Sequence, residues 1–106
     1  MSYTVLFSPE AEQQLAALER DIAAAVGSDV TAARYVDAIV AHCKSLVTFP
    51  QRGQQRDDLM PGLRITHYRG RAVIAFLVDS DAETVSIVGV FYGGQDYEVA
   101  LLKDAD

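Results

Sequence analysis

The sequence predicts a small, single-domain α+β protein, and three observations lead to that prediction. Two segments of the first half, 9–26 and about 30–48, carry apolar residues at helical spacing behind strong N-cap residues. The second half, from about residue 63 to residue 92, is rich in β-branched and apolar residues and is divided by turn residues. A chain of 106 residues holds one hydrophobic core, so we assign all of residues 1–106 to a single domain.

The N-terminal segment predicts a short strand that leads directly into the first helix. Residues Tyr3–Phe7 are mainly β-branched and aromatic, which is typical of strands. Ser8 follows as a helix N-cap, with Pro9 at the first helical position. Gly27 ends this helix. Its apolar stripe consists of Ala11, Leu15, Leu18, Ile22 and Val26.

The second helix is expected to begin behind an Asp29 cap and to run from about Val30 to Thr48. Phe49-Pro50 closes it, because the residue before a proline avoids helical geometry. The connection between the two helices is about three residues long, so the helices must lie nearly antiparallel. Each helix has one apolar face, and this helical hairpin therefore needs a second layer to cover it.

The second layer is predicted to be a three-stranded antiparallel meander. It follows a polar loop, Gln51–Gly62, and its strands are joined by short turns. The predicted strands are Leu63–Tyr68, Ala72–Val78 and Thr84–Tyr92. Segment 96–103 is expected to form a short terminal helix or a tail.

The net charge of −6 argues against a general nucleic-acid binder, because phosphate contacts need clustered Lys and Arg. The charge is distributed unevenly. From Arg52 to Arg71, five arginines outweigh two aspartates, so this segment carries +3. The sequence therefore indicates an acidic body with a basic middle segment, which is either a solvated rim or a docking patch for an acidic partner.

Several further classes of protein are disfavoured. No apolar run approaches the about 20 residues that a membrane helix needs, and the N-terminus lacks the pattern of a signal peptide. We therefore expect a cytoplasmic protein without membrane contact. Cys43 is the single cysteine, which excludes an intramolecular disulfide and a cysteine-based zinc cluster. It lies in the apolar stripe of the second helix and is expected in the core, and no metal or cofactor is expected.

Several strings of the sequence, in this order, resemble the ParE/RelE superfamily of bacterial toxins and most of all its ParE branch. The strings are Val5–Leu15, Ala32–Tyr35 with Phe49-Pro50, Pro61-Gly62-Leu63-Arg64, and Val85–Asp96. The resemblance implies the same order of strand, helical hairpin and meander. One departure lies after Tyr92, where the family usually has a His-Gly-Arg-Arg-Asp-like turn and this chain has Gly93-Gly94-Gln95-Asp96.

The resemblance implies the toxin of a type II toxin–antitoxin pair that inhibits DNA gyrase by protein contact, with no catalytic residue and no cofactor. It also implies neutralisation by a cognate antitoxin of ribbon-helix-helix type in a hetero-oligomer. One alternative is a ribosome-dependent mRNA endonuclease of RelE type, and another is a non-toxic homologue that only binds the antitoxin. Strand alternation places His67 and Arg64 on opposite faces, which disfavours a shared phosphate site for the endonuclease.

Four residues are expected to bind the antitoxin or the target: Arg64, Arg69, Arg71 and Tyr92. Arg64 opens a strand directly after Pro61-Gly62, and its guanidinium either holds a carboxylate or loop carbonyls or, with Arg69 and Arg71, contacts an acidic partner segment. The central strand is apolar on both faces. The sheet face away from the hairpin is therefore expected to be an open apolar groove that a partner covers.

Overall fold

The computed structural model describes residues 3–104, with side chains up to Leu102. The order of elements is β1 (Thr4–Phe7), α1 (Pro9–Val26), α2 (Asp29–Lys44), a 3₁₀ turn (Ser45–Val47), β2 (Gln54–Gln55), β3 (Leu63–Tyr68), β4 (Ala72–Asp79), β5 (Thr84–Tyr92) and α3 (Tyr97–Asp104). The predicted α+β class, the helical hairpin and the short C-terminal helix are confirmed.

The helix ends follow the capping residues of the sequence, with one correction. The Ser8 hydroxyl accepts a hydrogen bond from the Ala11 amide at 3.0 Å, and Gly27 ends α1 in the left-handed region at φ 70°. The cap of α2 is Ser28 and not Asp29, because Ser28 is extended and its hydroxyl accepts from the Thr31 amide at 3.1 Å. Asp29 instead lies in the first turn, where its charge favours the helix dipole.

The second helix is also shorter than the predicted span to Thr48. Regular α-helix stops at Lys44, and the chain tightens into the 3₁₀ turn before it reaches Phe49-Pro50. Helices commonly end in such a turn, since tighter hydrogen bonds satisfy the last free carbonyls. The apolar stripe nevertheless continues through this turn, because Leu46 is fully buried.

The sheet has five strands in the order β1-β5-β4-β3-β2, and β3, β4 and β5 form the predicted antiparallel meander. Two edge strands extend it. β1 pairs in parallel with the first part of β5, and β2 pairs with the start of β3 inside the segment predicted as a loop. A two-residue strand of glutamines carries no apolar alternation, so its sequence gives no strand signal.

The register between β4 and β5 shifts once, at Ala75 and Phe76. Phe76 pairs with Ile87 and Ala75 pairs with Gly89, so Val88 is the extra residue of a β-bulge. Gly89 is required there, because a Cβ at this position would lie 2.6 Å from the Phe91 ring.

The helices and the sheet enclose two hydrophobic clusters, one on each face of the sheet. The hairpin face, covered by α1 and α2, holds the larger cluster. Its fully buried members include Ala11, Ile39, Cys43, Leu46, Ile74, Phe76, Val85 and Ile87. The opposite face, here called the α3 face, holds Leu59, Leu63, Ile65, Ala75, Phe91 and Leu101.

The α3 face corrects the prediction of an open apolar groove. α3 and the loop before β3 cover this face, with Leu101 of α3 only 2% exposed. Tyr97, Ala100 and Leu101 have the spacing of one helix face, which explains how so short a helix packs on the sheet. Within residues 3–104, no helix is long and apolar enough to cross a bilayer.

Candidate partner-binding site

Three of the four predicted binding residues meet at one end of the sheet. Arg69 and Gly70 form the tight β3–β4 turn with positive φ values of 53° and 73°. Tyr68, Ala72 and Tyr92 are in register across three strands, so both tyrosine rings lie on the hairpin face beside a small residue. The turn therefore places its arginines next to these two rings.

Each arginine of the turn lies over a tyrosine ring. The Arg69 guanidinium carbon is 5.5 Å from the centre of the Tyr68 ring, and that of Arg71 is 5.8 Å from the centre of the Tyr92 ring. Both distances are within the range of cation–π attraction. Tyr35 of α2 meets the Tyr92 ring edge-on, with ring centres 5.6 Å apart and planes at 82°. We call these five residues the cation–aromatic tip.

The charge of the tip is exposed and is not neutralised within the described structure. Arg69 and Arg71 are both exposed, and the ion pairs found within residues 3–104 all involve Arg56. Partial burial and the neighbouring Tyr92 raise the pKa of Tyr35, so its hydroxyl stays protonated at neutral pH. Exposed arginines on tyrosine rings are typical of the residues that dominate protein–protein interfaces.

Arg64, the fourth predicted residue, lies apart from the tip. It precedes Tyr68 by four residues on β3, which corresponds to about 13 Å along a strand. Its Nη1 is 3.4 Å from the Arg52 carbonyl oxygen. The structure thus places Arg64 against a loop carbonyl, which was one of the two roles that the sequence left open.

The residues that an endonuclease could use do not converge. Arg69 and Tyr92 lie at the tip on the hairpin face, whereas Tyr97 packs on the α3 face, where its hydroxyl accepts from Arg56 at 3.2 Å. His67 is exposed on β3. Cys43 is fully buried, and burial raises the pKa of its thiol to about 12, so this thiol is neither an accessible nucleophile nor a ready ligand.

No metal centre is formed within the described residues. Among residues 3–104, no group of three or more His, Cys, Asp or Glu side chains is placed to hold a metal ion.

A groove that the sequence did not predict lies beside the tip. It has a volume of about 650 Å³ and runs between α1, the start of α2 and the end of β5. Tyr35 and Tyr92 belong both to the tip and to this groove. Most of the other lining is apolar, with Ala17, Leu18, Ile22, Ala25, Val26 and Val90.

Gln14 is the residue of this groove that sequence analysis missed. It lies between the apolar positions Ala11 and Leu18 on the inner side of α1, and its Oε1 accepts a hydrogen bond from the Val90 amide at 2.7 Å. A polar residue next to an apolar stripe was the available signal. Its partner could not be inferred, because the bulge in β5 that frees the Val90 amide has no clear pattern in the sequence.

Comparisons with known proteins agree with this fold. The family model described as the ParE toxin of the type II toxin–antitoxin system parDE matches residues 5–97. No curated protein matches the chain. A structure of the chromosomal ParDE toxin–antitoxin system from P. aeruginosa is similar, with 22% identity, a TM-score of 0.72, and coverage of 87% of this chain and 97% of that chain.

The toxin–antitoxin complex RelBE2 from Mycobacterium tuberculosis is also similar in fold. It has 22% identity and a TM-score of 0.62, and the match covers 87% of this chain and 99% of that chain. At 22% identity the two structures support the fold alone. The family model matches the sequence itself over residues 5–97, which is most of the chain. The chain belongs to the family of ParE toxins of type II toxin–antitoxin systems.

Proposed function

We propose that this ParE-type toxin inhibits DNA gyrase by protein contact and that its cation–aromatic tip forms the contact. The observation that supports the proposal is the pair of exposed arginines stacked on Tyr68 and Tyr92. An arginine held over a ring loses less conformational freedom on binding than a free one, so its hydrogen bonds to a partner carboxylate cost less.

Electrostatics favour an acidic partner surface for the tip. The chain as a whole carries −6, yet the segment that includes Arg69 and Arg71 is positive. Such a dipolar distribution orients the molecule as it approaches a negatively charged surface and turns its acidic body away. Added salt would screen the charges of these two arginines and would therefore weaken binding to an acidic surface.

Contact rather than catalysis also fits the chemistry of the tip. Cleavage of RNA at a 2′-hydroxyl needs a base, a cation for the phosphate and an acid within reach of one reacting group. The described side chains that could supply these roles lie on two faces of the sheet. A toxin that acts by contact alone would use no catalytic residue and no cofactor.

We further propose that a cognate antitoxin of ribbon-helix-helix type neutralises the toxin in a hetero-oligomer. Co-expression with the product of the reading frame directly upstream tests this partner. We expect growth to stop when the toxin is expressed alone and to recover with the neighbour, and the two chains to co-purify. Growth arrest that the neighbour does not relieve would remove this antitoxin from the proposal.

A gyrase supercoiling assay with the purified chain tests the target. The chain should inhibit supercoiling, and the double variant Arg69→Glu/Arg71→Glu should need at least about tenfold more protein, since hot-spot charges contribute more than 1.4 kcal/mol, or a factor of ten. Arg20→Glu, an exposed charge reversal on α1, is the matched control and should inhibit like the parent.

Three other outcomes point elsewhere. No inhibition at a several-fold molar excess would rule out gyrase as the target. Cleavage of mRNA in a translation reaction, abolished by Arg64→Ala, would identify the RelE-type alternative. A chain that leaves growth unaffected when it is expressed without the antitoxin would be a non-toxic homologue.

A further inference from the structure

The sheet is narrowest at the cation–aromatic tip. β2 pairs only with the start of β3, at Arg64 and Ile65, and β1 pairs only with the first four residues of β5. Among residues 3–104, the strands that reach the tip are therefore β3, β4 and β5. Tyr68 and Tyr92 each lie on an outer strand at this end, and no further strand of the described chain flanks them.

The strand between the two tyrosines gives their rings little support. Ala72 of β4 lies opposite both Tyr68 and Tyr92 in the register of the sheet. The two tyrosines are thus two strand spacings apart, or about 9.5 Å, and the single methyl group of Ala72 is too small to fill the space between their rings. Both rings therefore depend on the layer that covers this face, which is α2.

α2 supplies one aromatic contact to each ring. Tyr35 meets the Tyr92 ring edge-on at 5.6 Å, and the ring centre of His42 lies 5.0 Å from that of Tyr68. Tyr35 and His42 are seven residues apart, so they lie on one face of the helix and about 10.5 Å apart along its axis. This separation is close to that of the two tyrosines, and one straight helix can therefore contact both rings.

α2 is fixed in the core between these two contacts. Ile39, which lies between Tyr35 and His42 on the same side of the helix, is fully buried, and so is Cys43. Dense packing leaves a buried helix face little freedom to shift. The two aromatic contacts therefore connect the exposed tip to the packed core of the hairpin face.

The chemistry of His42 suits a contact through its ring. Its Nε2 is buried and has no hydrogen-bond partner among the described residues, so this nitrogen does not link His42 to Tyr68. Burial and the nearby charge of Arg52 lower the pKa of His42, and the ring is therefore neutral at neutral pH. A neutral ring adds no second cation beside Tyr68, which leaves Arg69 as the cation that this tyrosine attracts.

We propose that Tyr35 and His42 are positioning residues of the cation–aromatic tip. Each fixes the tyrosine ring that it contacts, and that ring in turn fixes the guanidinium group of Arg71 or Arg69. The two arginines are thereby placed for binding before the partner arrives. This inference rests on the proposed function, which supplies the partner.

A fixed ring matters because arginine has a long and flexible side chain. A tyrosine at the end of an outer strand can change its rotamer unless a neighbour blocks the change. Without the contacts from α2, the ring and the cation on it would therefore both sample several positions. The ordering of these side chains would then oppose binding, and the tip would bind its partner less tightly.

Nuclear Overhauser effects (NOEs) between arginine and tyrosine side chains test the positioning directly in the free chain. Tyr35→Leu should remove most of the NOE intensity between Arg71 and its tyrosine ring and leave that of Arg69 unchanged, and His42→Leu should do the reverse. Tyr35→Phe keeps the aromatic contact and should keep the NOEs of Arg71. Unchanged NOEs in both leucine variants, or an equal loss at both arginines in each, would overturn the inference.

A double-mutant cycle in the gyrase supercoiling assay tests the consequence for binding. Tyr35→Leu should need about two- to tenfold more protein for the same inhibition, the factor that corresponds to about 0.5–1.5 kcal/mol for one side chain that is no longer ordered. In the Arg71→Ala background the same substitution should have almost no further effect, because the guanidinium that Tyr35 positions is absent. His42→Leu should depend on Arg69 in the same way.

The matched control is Ala41→Leu, the exposed neighbour of His42 on α2, which should change neither the NOEs nor the inhibition. If the parent chain inhibits gyrase and Tyr35→Leu costs as much with Arg71→Ala as without it, Tyr35 only supports the fold. The inference is then overturned and the proposed function stands. If the parent chain does not inhibit gyrase, the proposed target falls, and the NOEs decide the positioning by themselves.

Discussion

Helices α1 and α2, of 18 and 16 residues, cover one face of the sheet, whereas the eight-residue α3 and the loop before β3 cover the other. Both long helices begin at a serine that caps them, and a connection of two residues, Gly27-Ser28, holds them antiparallel. An eight-residue helix is unstable on its own, so α3 depends on its contacts with the rest of the chain.

The two faces also differ in how polar groups support them. On the α3 face, Arg56 binds Asp58 at 2.8 Å, pairs with Glu98, and donates to the Tyr97 hydroxyl. One side chain thus ties the loop to α3. The hairpin face depends on apolar burial, and its buried residues are all apolar within the described chain. The hairpin face is therefore the main core of the domain, whereas α3 and the loop form a cover that docks on the other face.

The largest effect should come from truncating the hairpin face. Phe76→Ala removes a fully buried ring, and such truncations cost about 3–5 kcal/mol because a cavity remains. Leu101→Ala on the α3 face should cost about 2 kcal/mol, at the low end of the range for leucine, because α3 can detach locally instead of leaving a cavity. Urea unfolding measures both free energies.

The control for this pair is Val99→Ala, an exposed position of α3 that is 49% accessible and should have little effect. If Leu101→Ala cost as much as Phe76→Ala, α3 would be part of the cooperative core, and the distinction between the two faces would be wrong.

A smaller and more local effect is expected from removing Arg56, whose side chain links the loop before β3 to α3. Arg56→Ala removes the contacts to Asp58, Glu98 and Tyr97 together. Hydrogen exchange should become faster in α3, with little change in α1 and with a smaller loss of global stability than Phe76→Ala causes. High salt should produce part of the same effect in the parent chain, because it screens exposed ion pairs.

Arg56→Lys separates charge from geometry. It keeps the positive charge but loses the fork that meets both oxygens of Asp58. Its exchange rates in α3 should lie between those of the parent and of Arg56→Ala. Equal acceleration of exchange in α1 and α3 would show that Arg56 supports the whole domain rather than the cover.

The hairpin face could be predicted from sequence, and the α3 face only in part, for a physical reason. Ser8, Gly27 and the apolar stripe of α1 act locally, so their effect is visible in a single stretch of sequence. The parallel pairing of β1 with β5 joins residues about eighty positions apart, and its hydrogen bonds involve only backbone atoms. The sequence therefore predicted β1 without predicting where it pairs.

The candidate site, too, could be predicted from the sequence only in part. Arg69, Arg71 and Tyr92 come together because one tight turn and one in-register strand pair bring them there. Arg64 was grouped with Arg69 and Arg71 as a contact for the same acidic partner segment, yet three residues of extended chain lie between it and Tyr68. The groove beside β5 depends on a bulge and on Gln14, and both are consequences of tertiary packing.

The smallest effect concerns pH and the one histidine that packs on the hairpin side. Its ring, at His42 of α2, lies 5.0 Å from that of Tyr68, and burial together with Arg52 lowers its pKa below 6.5. In mild acid the unfolded chain therefore takes up a proton before the folded chain does. The stability that this histidine contributes is complete above about pH 6.5 and falls as the pH drops from there towards the lowered pKa.

Acid should thus weaken the hairpin face before it weakens the contacts of Arg56 with Asp58 and α3. The hydrogen bonds from Arg56 lower the pKa of Asp58, so that carboxylate stays charged between pH 5 and 7. His42→Gln should flatten the dependence of unfolding free energy on pH between 5 and 7, which urea unfolding at several pH values measures. His67→Gln on exposed β3 is the matched substitution. If the pH dependence of the unfolding free energy disappears in His67→Gln and persists in His42→Gln, the acid sensitivity arises at the exposed sheet surface. His42 would then make no contribution to it on the hairpin face.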